Sequence, residues 1–509
     1  MLEKGLVMQE NNKPQVLIVG AGPTGLTLGI ELARRAVPFR LIDAAPEPFQ
    51  GSRGKGTQPR SLEIFDDLGV IDEVLANGRY NMPVRIYDGQ GGYKDTVMHE
   101  EKAPRPDVPY PVTLLIPQWR VEGILRKRLE QLGGRVEFGV SFDGAVQDGA
   151  GVTASLKGVD GTESCHTAWL VGCDGGKSAT RHLLGIPFLG ETMEQYRMMV
   201  ADVKATGVNR DFWHMWRKEQ GFCALAPLPN TEYFQFQVSI DESMTTEPTL
   251  LLLQRLLEAH TGRSDIRLSE PSWMSYWRAN VRMVERYRTG RVLLAGDAAH
   301  VHTPAGGQGM NTGIQDAYNL GWKLAAVVQG ADPALIDSYE EERLPIAASI
   351  LGLSNQLFAA FANNKMERRD GQTLQLGIGY RGAKEVRELR ATPGPVQAGD
   401  RAPEAPGLVG PDGEYRLFDL MRGTHCTVLA FGKRWGEMLK QVQDTYGAAV
   451  RTVAFDGAGW RDAAGNAAQA YGVQRDTLFV IRPDWYVGFA TEEADGQALM
   501  DYLGRIIAR

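Results

Sequence analysis

The fold is decided by the stretch Gln15-Val-Leu-Ile-Val-Gly20-Ala-Gly22-Pro-Thr-Gly25. Its first part is a short apolar run, which predicts a strand buried on both faces. The run enters Gly20-x-Gly22-x-x-Gly25, and an amphipathic helix is predicted from there to about Ala36. A second apolar run, Phe39-Arg-Leu-Ile42, stops at Asp43, eighteen residues beyond Gly25. Strand, glycine turn, helix, strand and acid make a complete βαβ unit of about 30 residues, the arrangement that binds a dinucleotide. Gly20 permits the tight turn, Gly22 lets a pyrophosphate approach the backbone, and Gly25 lets helix and strand pack closely. The helix N-terminus offers free N–H groups and a positive dipole end to the phosphates. Asp43 would accept hydrogen bonds from the adenosine ribose.

Two later segments repeat the pattern of an apolar run ending in an acid. Trp169-Leu-Val-Gly-Cys-Asp174 continues through Gly175-Gly176 into Ser178-Ala-Thr-Arg181. Gly290-Arg-Val-Leu-Leu-Ala-Gly-Asp297 continues through His300 into Thr303-Pro-Ala-Gly-Gly-Gln-Gly-Met-Asn311, where a long helix starts. Acids at strand carboxyl ends lie where open α/β sheets bind ligands. The plain alternative is that Asp174 and Asp297 cap helices.

The remaining chain divides by pattern. Helices are predicted at 61–75, 118–133 and 337–362, and a strand meander at 135–140 and 151–156. From 188 to 280 the segments 198–203 and 233–240 alternate apolar and polar residues, which predicts an antiparallel sheet lobe with a helix at 249–261. Trp213, His214, Trp216, Tyr276 and Trp277 in this lobe are candidates to line a pocket for a flat ring, with ordinary sheet packing as the alternative. The segment 391–401 is rich in Pro and Gly and reads as a linker. Beyond it, strand-like runs at 427–431, 450–454, 477–481 and 486–490 alternate with helical stretches, which predicts a separate small α/β domain.

Composition sets the outer bounds. At about 150 residues per domain, 509 residues imply two to four domains. With 43% hydrophobic and 23% charged residues, disordered, collagen-like and coiled-coil states are excluded. A net charge of −7 argues against nucleic acid as the principal partner. Glycine accounts for 59 residues, well above the usual ~7%, so many tight turns or close backbone approaches are needed. Cys165, Cys173, Cys223 and Cys426 form no Cys-x-x-Cys pair, which indicates neither a zinc site nor a dithiol motif. A reduced, cytoplasmic setting is expected. Residues 1–14 lack the apolar core of a signal peptide, and no run of about 18 apolar residues is present to span a membrane.

As a set, the three separated motifs resemble the FAD-dependent aromatic hydroxylases of the para-hydroxybenzoate hydroxylase fold (class A flavoprotein monooxygenases), over about residues 14–365. The resemblance implies an α/β chain. A Rossmann-like FAD-binding domain (14–75, 113–187 and 281–390, the last with a helical region) would hold an inserted antiparallel-sheet substrate domain (76–112 and 188–280). The pieces Gly399-Asp-Arg-Ala-Pro403 and Leu478-Phe-Val-Ile-Arg-Pro-Asp-Trp-Tyr-Val487 resemble a thioredoxin-like domain, here 396–509. Cys426 stands alone in it, and exchange needs a resolving thiol, so this domain is expected to be redox-inactive.

For the site, the resemblance implies that Gly20, Gly22, Gly25 and Asp43 hold FAD, with Arg53 near its pyrophosphate and Gln118 and Arg120 on the adenosine side. Asp174 matches an Asp-Gly motif associated with FAD and NAD(P)H. Asp297 matches the Gly-Asp motif on the ribityl and pyrophosphate side. Pro304, Gly307, Gly309, Met310 and Asn311 belong to the segment beside the flavin ring. The implied activity is hydroxylation of a phenolic or polycyclic aromatic substrate. NADPH (or NADH) would reduce FAD, and O₂ would add to give a flavin C4a-hydroperoxide. Baeyer–Villiger oxygen insertion, epoxidation, and a flavin dehydrogenase or oxidase are the alternatives. No catalytic base and no metal ligand is identified, and the extra domain is compatible with a homodimer.

Overall fold

A strand that is apolar on both faces needs cover on both, and Val16–Val19 has it. A computed structural model describes residues 13–508, apart from 100–104, 219, 220, 242, 243, 245, 304, 363–370 and 458. In it, Val16–Val19 lies inside a six-stranded sheet ordered Arg288–Thr289, Val292–Leu294, Trp169–Gly172, Val16–Val19, Phe39–Asp43 and Val136–Phe138. Every neighbouring pair is parallel except the edge strand Arg288–Thr289. The pleat turns Val16 and Ile18 into a core shared with the helices Pro23–Ala33, Gln118–Gln131 and Gly309–Val328. It turns Leu17 and Val19 into a second core beneath the meander Ser141–Gln147, Val152–Gly158 and Gly161–Thr167.

Two expectations change in detail. The helix expected at 61–75 is two helices, Pro59–Asp67 and Ile71–Asn77. Gly69 between them adopts φ +73°, a left-handed conformation that ends a helix. The strand expected at 135–140 joins the edge of the parallel sheet as Val136–Phe138 rather than the meander.

The second sheet has eight strands, ordered His300–Val301, Arg267–Met283, Leu189–Thr206, Tyr233–Ile240, Gly221–Pro227, Trp213–Lys218, Val84–Tyr87 and Tyr93–Thr96. The helix Leu250–Thr261 covers its back, packing Leu253 and Leu257 against Met199, Ala201, Phe234 and Phe236. Its front is turned toward the loop at 49–55 that follows Asp43, as the contacts below establish.

A third, five-stranded sheet is ordered Arg387–Glu388, Val487–Thr491, Thr477–Ile481, Cys426–Phe431 and Val450–Phe455, with an apolar core on each face. Cys426 lies in one of those cores, and burial pushes its thiol up to about 12. Thiolate is scarce there at neutral pH. Among the described residues, no helix is long and apolar enough to cross a membrane.

Candidate active site

Four adjacent parallel strands end at the same edge of the six-stranded sheet, each with a turn or an acid. Strand neighbours lie about 4.8 Å apart, so Asp297, Asp174, Gly20 and Asp43 are set side by side. The backbone binds these ends together: Gly20 N–H donates to Ile42 O, Cys173 N–H to Val19 O and Ala295 N–H to Gly172 O.

The glycines differ in why they must be glycine. Gly20 has φ +100°, and a Cβ there would lie 2.4 Å from the Cys173 carbonyl oxygen. At Gly25 a Cβ would lie 1.9 Å from Gly20 O. Gly22 is another case. Its φ of −71° suits any residue, and its Cβ would meet no protein atom within 4 Å. The polypeptide itself gives no reason for glycine at 22, whereas a dinucleotide seated against that backbone does. Gly22 also starts the helix Pro23–Ala33, which has no side-chain cap. Its first N–H groups therefore face outward as an anion site.

The acids are held in distinct ways. Asp43 accepts from Ala21 N–H at 2.8 Å and from Ala45 N–H at 2.9 Å, which fixes its carboxylate beside the glycine turn and leaves lone pairs over. Asp174 caps a short helix through one oxygen, accepting from Thr180 N–H at 3.0 Å and its hydroxyl at 3.1 Å. The capping alternative is thus realised, while its other oxygen is buried without a partner among the described residues. Asp297 is solvent-exposed between buried Gly296 and Ala298. Those surroundings raise its pKa, against the pull of His300 and Arg53. Arg53 is itself exposed, stacked 4.8 Å from the Phe49 ring.

Gln118 ties this loop to its helix. It accepts from Gly54 N–H at 3.1 Å and donates to Glu122 Oε1 at 2.9 Å. Arg120 stacks on Trp119, 4.5 Å from the ring centroid. Burial pushes Glu122 up to about 7, with Gln118, Arg126 and Arg53 lowering it and Asp43 raising it. The sequence reading missed Glu122, although its i,i+4 spacing from Gln118 was a usable signal.

The glycine-rich segment is knotted to the same loop. Asn311 Nδ2 donates to Gly56 O at 2.9 Å and Gly307 O at 2.7 Å, and Asn311 Oδ1 accepts from Gln58 N–H at 2.8 Å. Gly306 and Gly307 are left-handed at φ +78° and +65°. The helix that starts at Gly309 has no side-chain cap, and Met310 is half-buried beside it. Pro304 lies outside the described residues. His300 is structural: its Nε2 meets Asp316 Oδ2 at 2.6 Å, and that carboxylate also accepts from Gly296 N–H and Arg343 Nε. Burial drives His302 well below the usual imidazole range, so it is neutral.

The five candidate pocket aromatics do not share a face. Neighbours along a strand point to opposite sides. Trp216 lies in the core under Leu250–Thr261, and His214 and Tyr87 stack with it. Tyr276 packs against that same core. His214, Trp216 and Tyr276 are therefore back-face residues, and their reading as pocket lining is corrected. Trp213 is on the front, where the Lys55 ammonium sits 4.1 Å from its ring. Trp277 pairs in register with Met198, two positions from front-facing Val200 and four from Asp202, so it shares their face. Register adds Phe222, Met215 and Gln237 to the front, none of which was singled out from sequence.

A family model described as "FAD binding domain" matches residues 13–354, and "Aromatic-ring hydroxylase, C-terminal" matches residues 396–509. The chain belongs to the FAD-dependent aromatic-ring hydroxylases. A flavin-dependent monooxygenase of Mycobacteroides abscessus is 42% identical over 500 residues, covering 97% of this chain and 100% of the relative. The 12-dehydrotetracycline 5-monooxygenase/anhydrotetracycline 6-monooxygenase of Streptomyces rimosus subsp. rimosus is 32% identical, covering 96% and 97%. Among solved structures, aklavinone-11 hydroxylase in complex with FAD and aklavinone superposes with TM-score 0.84 at 28% identity, over 98% of this chain and 100% of that one. This hydroxylase is thus a flavin-dependent monooxygenase acting on a small aromatic substrate, with FAD as its cofactor.

Proposed function

We propose that FAD lies along the four-strand edge and is reduced there by NADPH (or NADH), with dioxygen as the oxidant and a phenolic or polycyclic ring on the front of the eight-stranded sheet as acceptor. The observation that carries this reading is the pairing of Gly22, whose backbone is open to a ligand, with an aromatic sheet face turned toward the loop at 49–55 that carries Arg53. Arg53 would neutralise the pyrophosphate by a forked hydrogen bond, together with the N–H groups after Gly22. Asp43, with lone pairs to spare, would accept from the ribose, and Gln118 and Arg120 would bound the adenosine side. Asp297, exposed at the strand edge, would accept from the ribityl side, with Asp174 close by. Gly307, Gly309, Met310 and Asn311 would flank the ring, where the helix start favours negative charge. When bound, FAD supplies the redox chemistry of oxygen transfer. The chain supplies orientation and exclusion of water. Substrate, O₂, NADPH and H⁺ would give hydroxylated product, water and NADP⁺.

The substrate class follows from the front face: Trp213, Trp277, Phe222 and Met215 suit a flat ring system. Multi-ring acceptors such as aklavinone or anhydrotetracycline are the first to try, beside simple phenols. The test is anaerobic mixing of FAD-loaded protein with NADPH or NADH while flavin absorbance is followed. Reduction is expected, accelerated by at least one aromatic compound. Failure of both nicotinamides with every ring tried would overturn the reading.

Glu122 gives a second check. It shares a charge field with Arg53 and Asp43 and titrates at about 7. Above that pH its carboxylate would add a negative charge to the field in which the pyrophosphate would sit, and like charges in that setting cost on the order of 1 kcal/mol. FAD affinity measured by fluorescence quenching is expected to fall several-fold from pH 6 to 8.5, with proton uptake on binding. Glu122→Gln should flatten that dependence. An unchanged slope in the variant would refute the assignment.

A further inference from the structure

The loop at 49–55 carries Arg53 and is held from two sides: Gly54 and the Lys55 carbonyl bond to Gln118 and Ile116 of its own domain, while Gly51, Ser52 and the Lys55 ammonium meet the sheet. Ser52 N–H donates to Asp202 Oδ2 at 2.8 Å. Gln235 donates through Nε2 to Ser52 O and accepts through Oε1 from Lys55 Nζ. The Lys55 ammonium also lies over Trp213. At Gly51 a Cβ would come within 2.6 Å of Trp273, so the backbone lies flat on that indole. These partners are not scattered. Asp202 pairs in register with both Gln235 and Trp273, so three adjacent strands present one row to the loop. Asp202 and Gln235 are each only 1% exposed. A buried carboxylate is costly unless it is paired or hydrogen-bonded, and the groups answering Asp202 are Ser52 and Lys55 of the loop itself.

We propose that Asp202 and Gln235 are positioning residues that clamp the Arg53 loop onto the substrate sheet, so that cofactor binding and the substrate face are mechanically one unit. The inference rests on the reading that Arg53 serves the FAD pyrophosphate, but the clamp itself is a property of the chain. With the clamp in place, the backbone between Ser52 and Lys55 is pinned at both ends. Without it, the Ser52 side of the loop is released while Gln118 and Ile116 still hold Gly54 and Lys55, so Arg53 gains freedom on one side, and each FAD bound must first pay the entropy of ordering it.

The loop carries its own reporters, since trypsin cleaves after Arg53 and Lys55. Cleavage needs local opening of the segment, so its rate reads the opening equilibrium. The test uses full-length, FAD-loaded protein, with cleavage sites identified by mass spectrometry and FAD dissociation measured in parallel. Asp202→Ala and, independently, Gln235→Leu are expected to speed cleavage at these two bonds about tenfold while other tryptic sites keep their rates. FAD should bind about tenfold more weakly in both, and Asp202→Asn, which still accepts from Ser52, should restore most of both effects. Unchanged cleavage at the two bonds, or equal acceleration at all sites, overturns the clamp. Faster cleavage with unchanged FAD affinity keeps the clamp and instead refutes the placement of Arg53 at the cofactor.

Discussion

Gly22→Val is expected to abolish FAD binding while leaving the apoprotein as stable as before. Valine adds its carbons into a space with no protein atom within 4 Å of the Cβ, on a backbone with φ −71° that any residue adopts. The apoprotein's melting temperature should therefore stay within about one degree, as for a surface change of under about 0.5 kcal/mol. The same side chain occupies the place where pyrophosphate meets backbone, and affinity should drop at least about 100-fold, or about 2.7 kcal/mol. Wild-type protein gains thermal stability from added FAD by mass action, and the variant should gain none. Gly25→Val supplies the contrast. There a Cβ falls 1.9 Å from Gly20 O, so strand and helix must separate, and the apoprotein itself should fail to fold or melt far lower. If Gly22→Val bound FAD normally, the nucleotide would not lie against this turn.

The second large effect is expected where the C-terminal sheet meets the nucleotide domain. Arg482 makes a forked pair with Glu342 at 2.6 and 2.9 Å and a second contact to Asp484 at 2.6 Å. Lys323 Nζ reaches the same Glu342 at 2.7 Å. These side chains are 0–1% exposed. Burial alone would raise Glu342, but Arg482 and Lys323 more than offset it and hold the carboxyl at about 2. Two cations and two anions thus balance inside the protein. Arg482→Met leaves two buried carboxylates facing one ammonium, a loss on the order of 3–5 kcal/mol. The melting temperature should fall by roughly 5 °C. R482M combined with E342M, which removes one carboxylate as well, should recover part of that loss. Because the folded pKa of Glu342 lies below its unfolded value, its stabilisation is fully present above about pH 4.5 and fades as pH falls toward 2. A single variant melting like wild type would show that the network carries no net stability.

What could be read from sequence was what the chain encodes locally. The βαβ unit is contiguous, so periodicity, glycine spacing and Asp43 were enough to give its strands and helix. The same holds for strands such as Thr477–Ile481 and for the helix Gly309–Val328. What could not be read depends on pairing between distant segments. Trp213 and Trp216 look alike in sequence, and only strand register, with a helix over one face, separates them. The contact between Ser52 and Asp202 joins positions 150 residues apart, and Arg482 and Glu342 are separated by 140. No local signal marks either pair. Glu122 and the break at Gly69 fall between these cases, since each had a local cue in its spacing or residue type.

One experiment bears most directly on the assignment of this chain as an aromatic-ring hydroxylase. Turnover with NADPH under ¹⁸O₂, using an aromatic compound that accelerates flavin reduction, should place one heavy oxygen atom on a ring carbon of the product, with the second recovered in water. Hydrogen peroxide as the sole fate of the heavy oxygen, with an unlabelled product, would contradict it.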